Sequence, residues 1–166
     1  MSWQIETKST FLTGFAKVNI TGTLMTAQAV ARQFLRLKDG APDDHKLCSM
    51  ALIASMSAGV ANRGLICPAY NASKAGVVQL ARNLASEWGM HGIRVNTISP
   101  GYIVTAMVEE LFKTHPKRRS EWADQNMLGR LSMPEDYRAL AVFLMGNGSG
   151  FMTGSDLRCD GGHAAW

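Results

Sequence analysis

The chain has 166 residues, of which 46% are hydrophobic and 18% charged, the size and composition of one globular domain and not of a disordered segment. Its net charge of +4 is spread along the sequence, which excludes a dedicated nucleic-acid surface. No uninterrupted apolar run approaches the length of a membrane span.

The N-terminal stretch MSWQIETKST has no apolar core of the secretory kind. Cys48, Cys67 and Cys159 are odd in number and far apart, so reduced thiols and a cytoplasmic location are expected. Residues 15–38 are expected to form one helix, with Phe15, Val18, Leu24, Ala27, Ala31 and Phe34 recurring at mixed three and four spacing. Gly22 within it offers a place for close helix packing. Gly40 to Asp44 reads as a loop. Met50 to Met56 is a nearly unbroken apolar run, the pattern of a strand buried on both faces.

A second helix is expected over residues 69–90, with Val77, Leu80, Ala81, Leu84 and Trp88 on one stripe. Ile93 to Ile98 reads as a short strand stopped by Pro100 and Gly101. Residues 102–131 are mixed and charged and suggest one or two short helices. Phe112, Trp122 and Met127 there read as core anchors ahead of pocket-lining groups. Lys117, Arg118 and Arg119 read as a solvated face. Pro134, Glu135 and Asp136 open a helix running to Met145, and Ser155 to Cys159 is a last strand.

Short strands alternating with long helices call for crossover connections and a parallel sheet, hence an α/β fold. His45, His91, His115 and His163 stand at no metal-ligand spacing to one another or to the cysteines, so no metal is expected.

The chemistry-bearing group is Tyr70-Asn-Ala-Ser-Lys74, at the start of a helix and thirteen residues after Ser57. Tyr and Lys at i and i+4 share a helical face. An ammonium beside a phenol favours the phenolate, and a phenol so tuned can exchange a proton with a carbonyl or an alcohol near neutral pH. A serine hydroxyl at the end of the neighbouring strand can hold the same oxygen.

These pieces, with Val18-Asn19-Ile-Thr-Gly22, Arg94-Val-Asn-Thr-Ile-Ser-Pro100-Gly101 and Asp160-Gly-Gly162, come in one order, and the sequence resembles the short-chain dehydrogenase/reductase family over residues 15–166. Ala54-Ser-Met-Ser57, Ala69 to Lys74 and the terminal Trp166 are most similar to fungal polyol and sugar reductases of the mannitol dehydrogenase and sorbose reductase type. The resemblance implies a three-layer Rossmann-type parallel sheet with flanking helices. It implies Tyr70 as acid/base and Lys74 as the group that tunes it and holds the nicotinamide ribose. Ser57 would orient the substrate oxygen, with Ser55 as a stand-in, and Asn19 would hold a relay water. Pro100, Gly101, Tyr102, Ile103, Val104 and Thr105 would flank the nicotinamide, Ile103 through its backbone and Thr105 through its hydroxyl. NADP(H) is the cofactor implied.

Complete relatives begin with a strand, a glycine-rich turn and a helix that together hold a pyrophosphate. That pattern does not occur in these residues. The expectation is therefore one domain over residues 1–166, truncated at the N-terminus, the C-terminal catalytic portion of the fold. At about 30 residues per strand–helix–strand unit, roughly 90 to 100 residues would be missing. Such a chain is expected to bind no dinucleotide by itself. Three functions follow: a carbonyl or polyol oxidoreductase in truncated form; a non-redox isomerase, dehydratase or cyclase using Tyr70, Lys74 and Ser57; or a non-catalytic partner of a full-length relative. A small-molecule substrate is expected, and self-association or docking onto a relative through helices 15–38 and 69–90.

Overall fold

The computed structural model describes residues 9–38, 48–65 and 67–166. The N-terminal decapeptide falls largely outside them, and the expected loop at Gly40 to Asp44 lies wholly outside them.

The first helical stretch is longer than its periodicity suggests and is not uniform. It comprises α1 (Ser9–Phe15), a π-helical segment (Ala16–Gly22) and α2 (Thr23–Lys38). Val18, Ile20 and Thr21 are β-branched and Gly22 is a weak helix former, so the middle of the stretch yields where a uniform α-helix would not. Close packing does occur here, but not at Gly22, where a Cβ would meet only the Lys17 carbonyl at 3.7 Å. It occurs at Gly76 of the facing helix, where a Cβ would lie 2.8 Å from Ile20 Cδ1.

Strand β1 (Cys48–Ile53) begins earlier and ends earlier than its apolar run. The Ala54 amide still bonds to the Ile98 carbonyl (2.8 Å), but then the Ser55 hydroxyl accepts from the Ser57 amide and turns Met56–Ala58 into a 3₁₀ turn. Serine offers the backbone a local partner in place of the ladder. Helix α3 (Pro68–Trp88) starts with proline in its first turn, and Gly92 at φ 80° lets the chain re-enter the sheet as β2 (Ile93–Pro100). Helices α4 (Ala106–Thr114) and α5 (Lys117–Asp124) follow. A 3₁₀ turn at Pro134–Tyr137 then leads into α6 (Arg138–Met145), and β3 (Asp156–Cys159) closes the fold.

All strand pairs are parallel and the order is β1-β2-β3. Val77, Ala81 and Leu84 of α3 meet Met50, Leu52, Ile93 and Val95 of the sheet, and α2 joins through Ala27 and Ala31. Buried Arg94 donates to the carbonyls of Leu144, Gly146 and Met152, tying the end of α6 and the approach to β3 onto the central strand. A second, smaller core of Val104, Phe112 and Leu131, with Tyr102 and Trp122 against it, holds the segment after β2. Phe112 and Trp122 are thus core anchors, whereas Met127 is 48% exposed and is not one.

The outer edge of β1 has no strand partner among the described residues. A groove of about 550 Å³ runs along it, lined by Val18, Thr23, Ala27 and Val30 on the helical side and by Met50 and Leu52 on the strand. No described helix is long and apolar enough to cross a membrane.

Candidate active site

The site gathers where β1 and β2 end and α3 begins. Helix α3 packs on the 3₁₀ turn that carries Ser57 and on the π-helical segment that carries Asn19. Tyr70 and Lys74 share a face of α3, and Lys74 Nζ stands 5.8 Å from the centroid of the Tyr70 ring. The edge of the Phe15 ring meets Tyr70 with centroids 5.6 Å apart, giving the phenol an apolar wall. Lys74 also donates to the Ile53 carbonyl at 3.0 Å, which fixes its stem across the end of β1. Half-buried in this position, Lys74 loses hydration of its charged form, and its pKa is lowered from the ordinary lysine value.

Asn19 is brought to the site, where its hydrogen bond goes to Ser73 and not to Lys74. Its Nδ2 donates to the Ser73 hydroxyl (2.9 Å), which in turn donates to the Tyr70 carbonyl (2.7 Å). The two candidate serines have different employment. Ser55 Oγ accepts from the Ser57 amide at 3.2 Å and so serves the turn. Ser57 Oγ, buried, accepts from Asn62 Nδ2 at 2.6 Å.

The loop after β2 carries the residues expected to flank a nicotinamide. Gly101 follows Pro100 at a close approach of two chain segments: a Cβ there would lie 2.8 Å from the Asp160 Cα, so glycine is required by packing alone. Ile103 bridges to Ser132, but the bonds run from the Ser132 amide to the Tyr102 carbonyl and from the Val104 amide to the Ser132 carbonyl. The amide and carbonyl of Ile103 itself enter neither. Thr105 caps α4, its Oγ accepting from the Val108 amide and leaving its O–H to donate elsewhere. The Tyr102 ring stacks on Trp122 (4.3 Å, 10°) and meets His163 edge-on, while its buried hydroxyl has no partner among the described residues. Burial, with Cys67 nearby, raises the Tyr102 pKa.

Sequence reasoning missed the segment from Gly59 to Leu65 and Cys67 beyond it. There Asn71 Nδ2 donates to the Val60 carbonyl (3.0 Å), Cys67 Sγ donates to Asn71 Oδ1 (3.1 Å), and Asn62 reaches Ser57. The turn composition Asn62-Arg63-Gly64 was a signal for a loop, but nothing in its spacing pointed to Ser57.

Parallel strands joined by helical crossovers, with Tyr70 and Lys74 on α3 packed against the turn that carries Ser57, define a Rossmann-type α/β fold. A family model described as enoyl-(acyl carrier protein) reductase matches residues 4–164, and the chain belongs to the short-chain dehydrogenase/reductase family of oxidoreductases. It is 45% identical over 153 residues to a short chain dehydrogenase/reductase, notP′, of Aspergillus versicolor, covering 90% of this chain and 50% of that protein. It is 36% identical over 151 residues to a ribulose-forming D-arabinitol 2-dehydrogenase of Candida albicans, covering 90% and 51% respectively. The crystal structure of a gluconate 5-dehydrogenase from Burkholderia cenocepacia, in complex with NADP and tartrate, superposes with a TM-score of 0.79 at 25% identity, over 96% of this chain and 58% of that one. The chain spans about half the length of the curated relatives it matches.

Proposed function

We propose that these residues form the catalytic end of an NAD(P)-dependent oxidoreductase that interconverts a carbonyl and a secondary alcohol on a small polyol or sugar. The observation that carries this reading is the Tyr70–Lys74 pair on the first turns of α3, with Lys74 Nζ held 5.8 Å from the phenol ring beside the turn that bears Ser57. The polyol relative and the NADP-bound structural neighbour support the substrate class and the cofactor.

A nicotinamide cofactor, when bound, supplies or accepts a hydride at the reacting carbon. In reduction the Tyr70 hydroxyl gives its proton to the carbonyl oxygen as that oxygen gains charge, and in oxidation the phenolate takes the proton from the alcohol. Ser57 donates a hydrogen bond to the same oxygen, holding it and stabilising its developing charge. The Lys74 ammonium would stabilise the phenolate and would hold a ribose hydroxyl of the cofactor. Asn19, through Ser73, secures the first turn of α3 at Tyr70. The backbone groups of Ile103 and the O–H of Thr105, which take part in no hydrogen bond found among the described residues, would suit a carboxamide at the nicotinamide end. The pyrophosphate end has no glycine-rich strand–turn–helix among the described residues, so the fit is to the nicotinamide end only. Apolar Val18, Met25 and Leu37 are exposed on the long helix, and association through helices 15–38 and 69–90 belongs to this proposal.

Tyr70→Phe tests it. With D-arabinitol and NAD(P)⁺, followed by nicotinamide absorbance, the variant should lose about 10² to 10⁴ in rate with its melting temperature unchanged. A variant within about threefold of the parent removes Tyr70 from the acid/base role.

A further inference from the structure

Both outer edges of the sheet are open among the described residues, and they differ in kind. β3 carries exposed Asp156 and Arg158, charges that oppose pairing with a further strand. β1 carries no charge at all. The Cys48 amide bonds to the Gly92 carbonyl and the Ala54 amide to the Ile98 carbonyl, so the even-numbered residues of β1 face β2. By the alternation along a strand, the amides and carbonyls of Ser49, Ala51 and Ile53 face away from the sheet. They have no backbone partner among the described residues, and the Ile53 carbonyl accepts from Lys74 Nζ instead, at 3.0 Å.

The groove of about 550 Å³ beside this edge is walled by Val18, Ala27 and Val30, and none of the described residues that line it is charged. Helices flank the edge on both faces. Met50 and Leu52 pack into the core with α2 and α3, and on the other face Ser49 Oγ donates to the Leu144 carbonyl of α6 at 2.6 Å. An edge covered on both faces by helices is the setting of a parallel, apolar strand. The chain covers 50% of the Aspergillus versicolor relative and 58% of the Burkholderia cenocepacia structure. What those proteins carry beyond the shared part must attach to it, and the edge of β1 is the uncharged strand edge that can receive it.

We propose that the edge of β1 docks a parallel, apolar strand of a second polypeptide, one that brings a glycine-rich strand–turn–helix, so that the complete site belongs to a heteromeric assembly. Ser49, Ala51 and Ile53 supply the backbone donors and acceptors. A carbonyl oxygen has two lone pairs, so at Ile53 the incoming amide and the Lys74 ammonium can share one acceptor. The docked strand therefore ends beside Lys74, and the turn that follows it faces the site. The docking stands on the edge itself, whereas dinucleotide binding by the assembly rests on the redox reading above.

The test co-expresses the full chain, tagged, with the N-terminal part of the Candida albicans relative up to where its match begins. Sedimentation reads the mass of the purified species, and NADPH fluorescence reads dinucleotide binding. A one-to-one complex is expected. Ala51→Pro removes an outward-facing amide and leaves the β1–β2 ladder intact, so the chain should fold as before and associate about tenfold or more weakly. If Ala51→Pro does not fold, Ile53→Asp, which puts a charge on the same edge, decides in its place. Recovery of the chain without its partner, or a complex that the variant leaves unchanged, overturns the proposal. So does a homodimer of this chain that persists beside the partner and is lost in the variant, because a second copy then holds the edge. A complex that depends on Ala51 but binds no NADPH upholds the docking and counts against the redox reading alone.

Discussion

Strands β1 and β2 lie side by side in register, from Cys48 opposite Ile93 to Ile53 opposite Ile98, yet their surroundings differ sharply. β2 has a strand on each side, and every residue from Ile93 to Ser99 is buried. Among the described residues β1 has a strand on one side only, and its last residue, Ile53, is 56% exposed. Both strands feed the candidate site, β2 through Gly101 to Thr105 and β1 through Ser57. The β2 side is held by a complete ladder and by Arg94 reaching three carbonyls. The β1 side is held by side chains instead: Lys74 on the Ile53 carbonyl, Ser55 on the Ser57 amide, and Asn62 on the Ser57 hydroxyl. Beside β2 the site is thus held by the strand ladder and Arg94, and beside β1 by side-chain hydrogen bonds among largely buried groups.

The contrast can be broken most forcefully by one change made in both strands. Val95→Asp puts an unpaired carboxylate at a position with no exposed surface in β2 and should cost about 4 kcal/mol or more, abolishing a cooperative thermal transition. A soluble variant with a normal melt would mean that β2 is not the closed strand described. Next in size is Gly76→Val on α3, whose Cβ meets Ile20 Cδ1 at 2.8 Å. It should destabilise by about 2 kcal/mol, read from denaturant midpoints, because the π-helical segment must shift to admit it. The same shift would loosen the Asn19 contact to Ser73.

Smaller again is the effect of Asp136, which pins the segment after β2. Arg130 donates to both carboxylate oxygens (2.8 and 2.9 Å) and the Met133 amide to one of them, holding the Asp136 pKa down from 3.8 to about 2. A carboxyl whose folded pKa lies below its unfolded value contributes stability above the unfolded value and loses it as pH falls through the folded one. The stability gap between the parent and Asp136→Asn should therefore be constant above about pH 5, shrink as pH falls toward 2, and close by about pH 1 in urea titrations at stepped pH. A gap unchanged down to about pH 1 would show that the carboxylate charge is not its source. The smallest effect belongs to β1: Ile53→Asp, at the open end, should change stability by less than about 0.5 kcal/mol while reducing self-association by sedimentation, since charge on an edge strand opposes pairing. A cost above about 1 kcal/mol would mean that another segment covers that edge in solution.

Much of this was legible without coordinates. The apolar runs at Met50 and Ile93 and the stripe from Val77 to Trp88 report burial, which is a local property of composition, and they gave a parallel α/β sheet with helices in the right places. Tyr70 and Lys74 were legible because helical geometry alone puts positions four apart on one face. Strand ends were less so: the run to Met56 looked continuous, but Ser55 diverted the backbone, and hydrophobicity does not register a hydroxyl that competes with the ladder. Gly22 was the visible glycine in the first helix, while the contact that needed a glycine was at Gly76, 54 positions away. Spacing already favoured Ser57 over Ser55, but only the tertiary structure turned Asn19 toward Ser73 and brought Asn62 onto the serine hydroxyl. The reason is physical. Periodicity and composition encode which side of an element meets water, whereas a hydrogen bond between side chains is settled by distance and direction, and those exist only once the elements have packed.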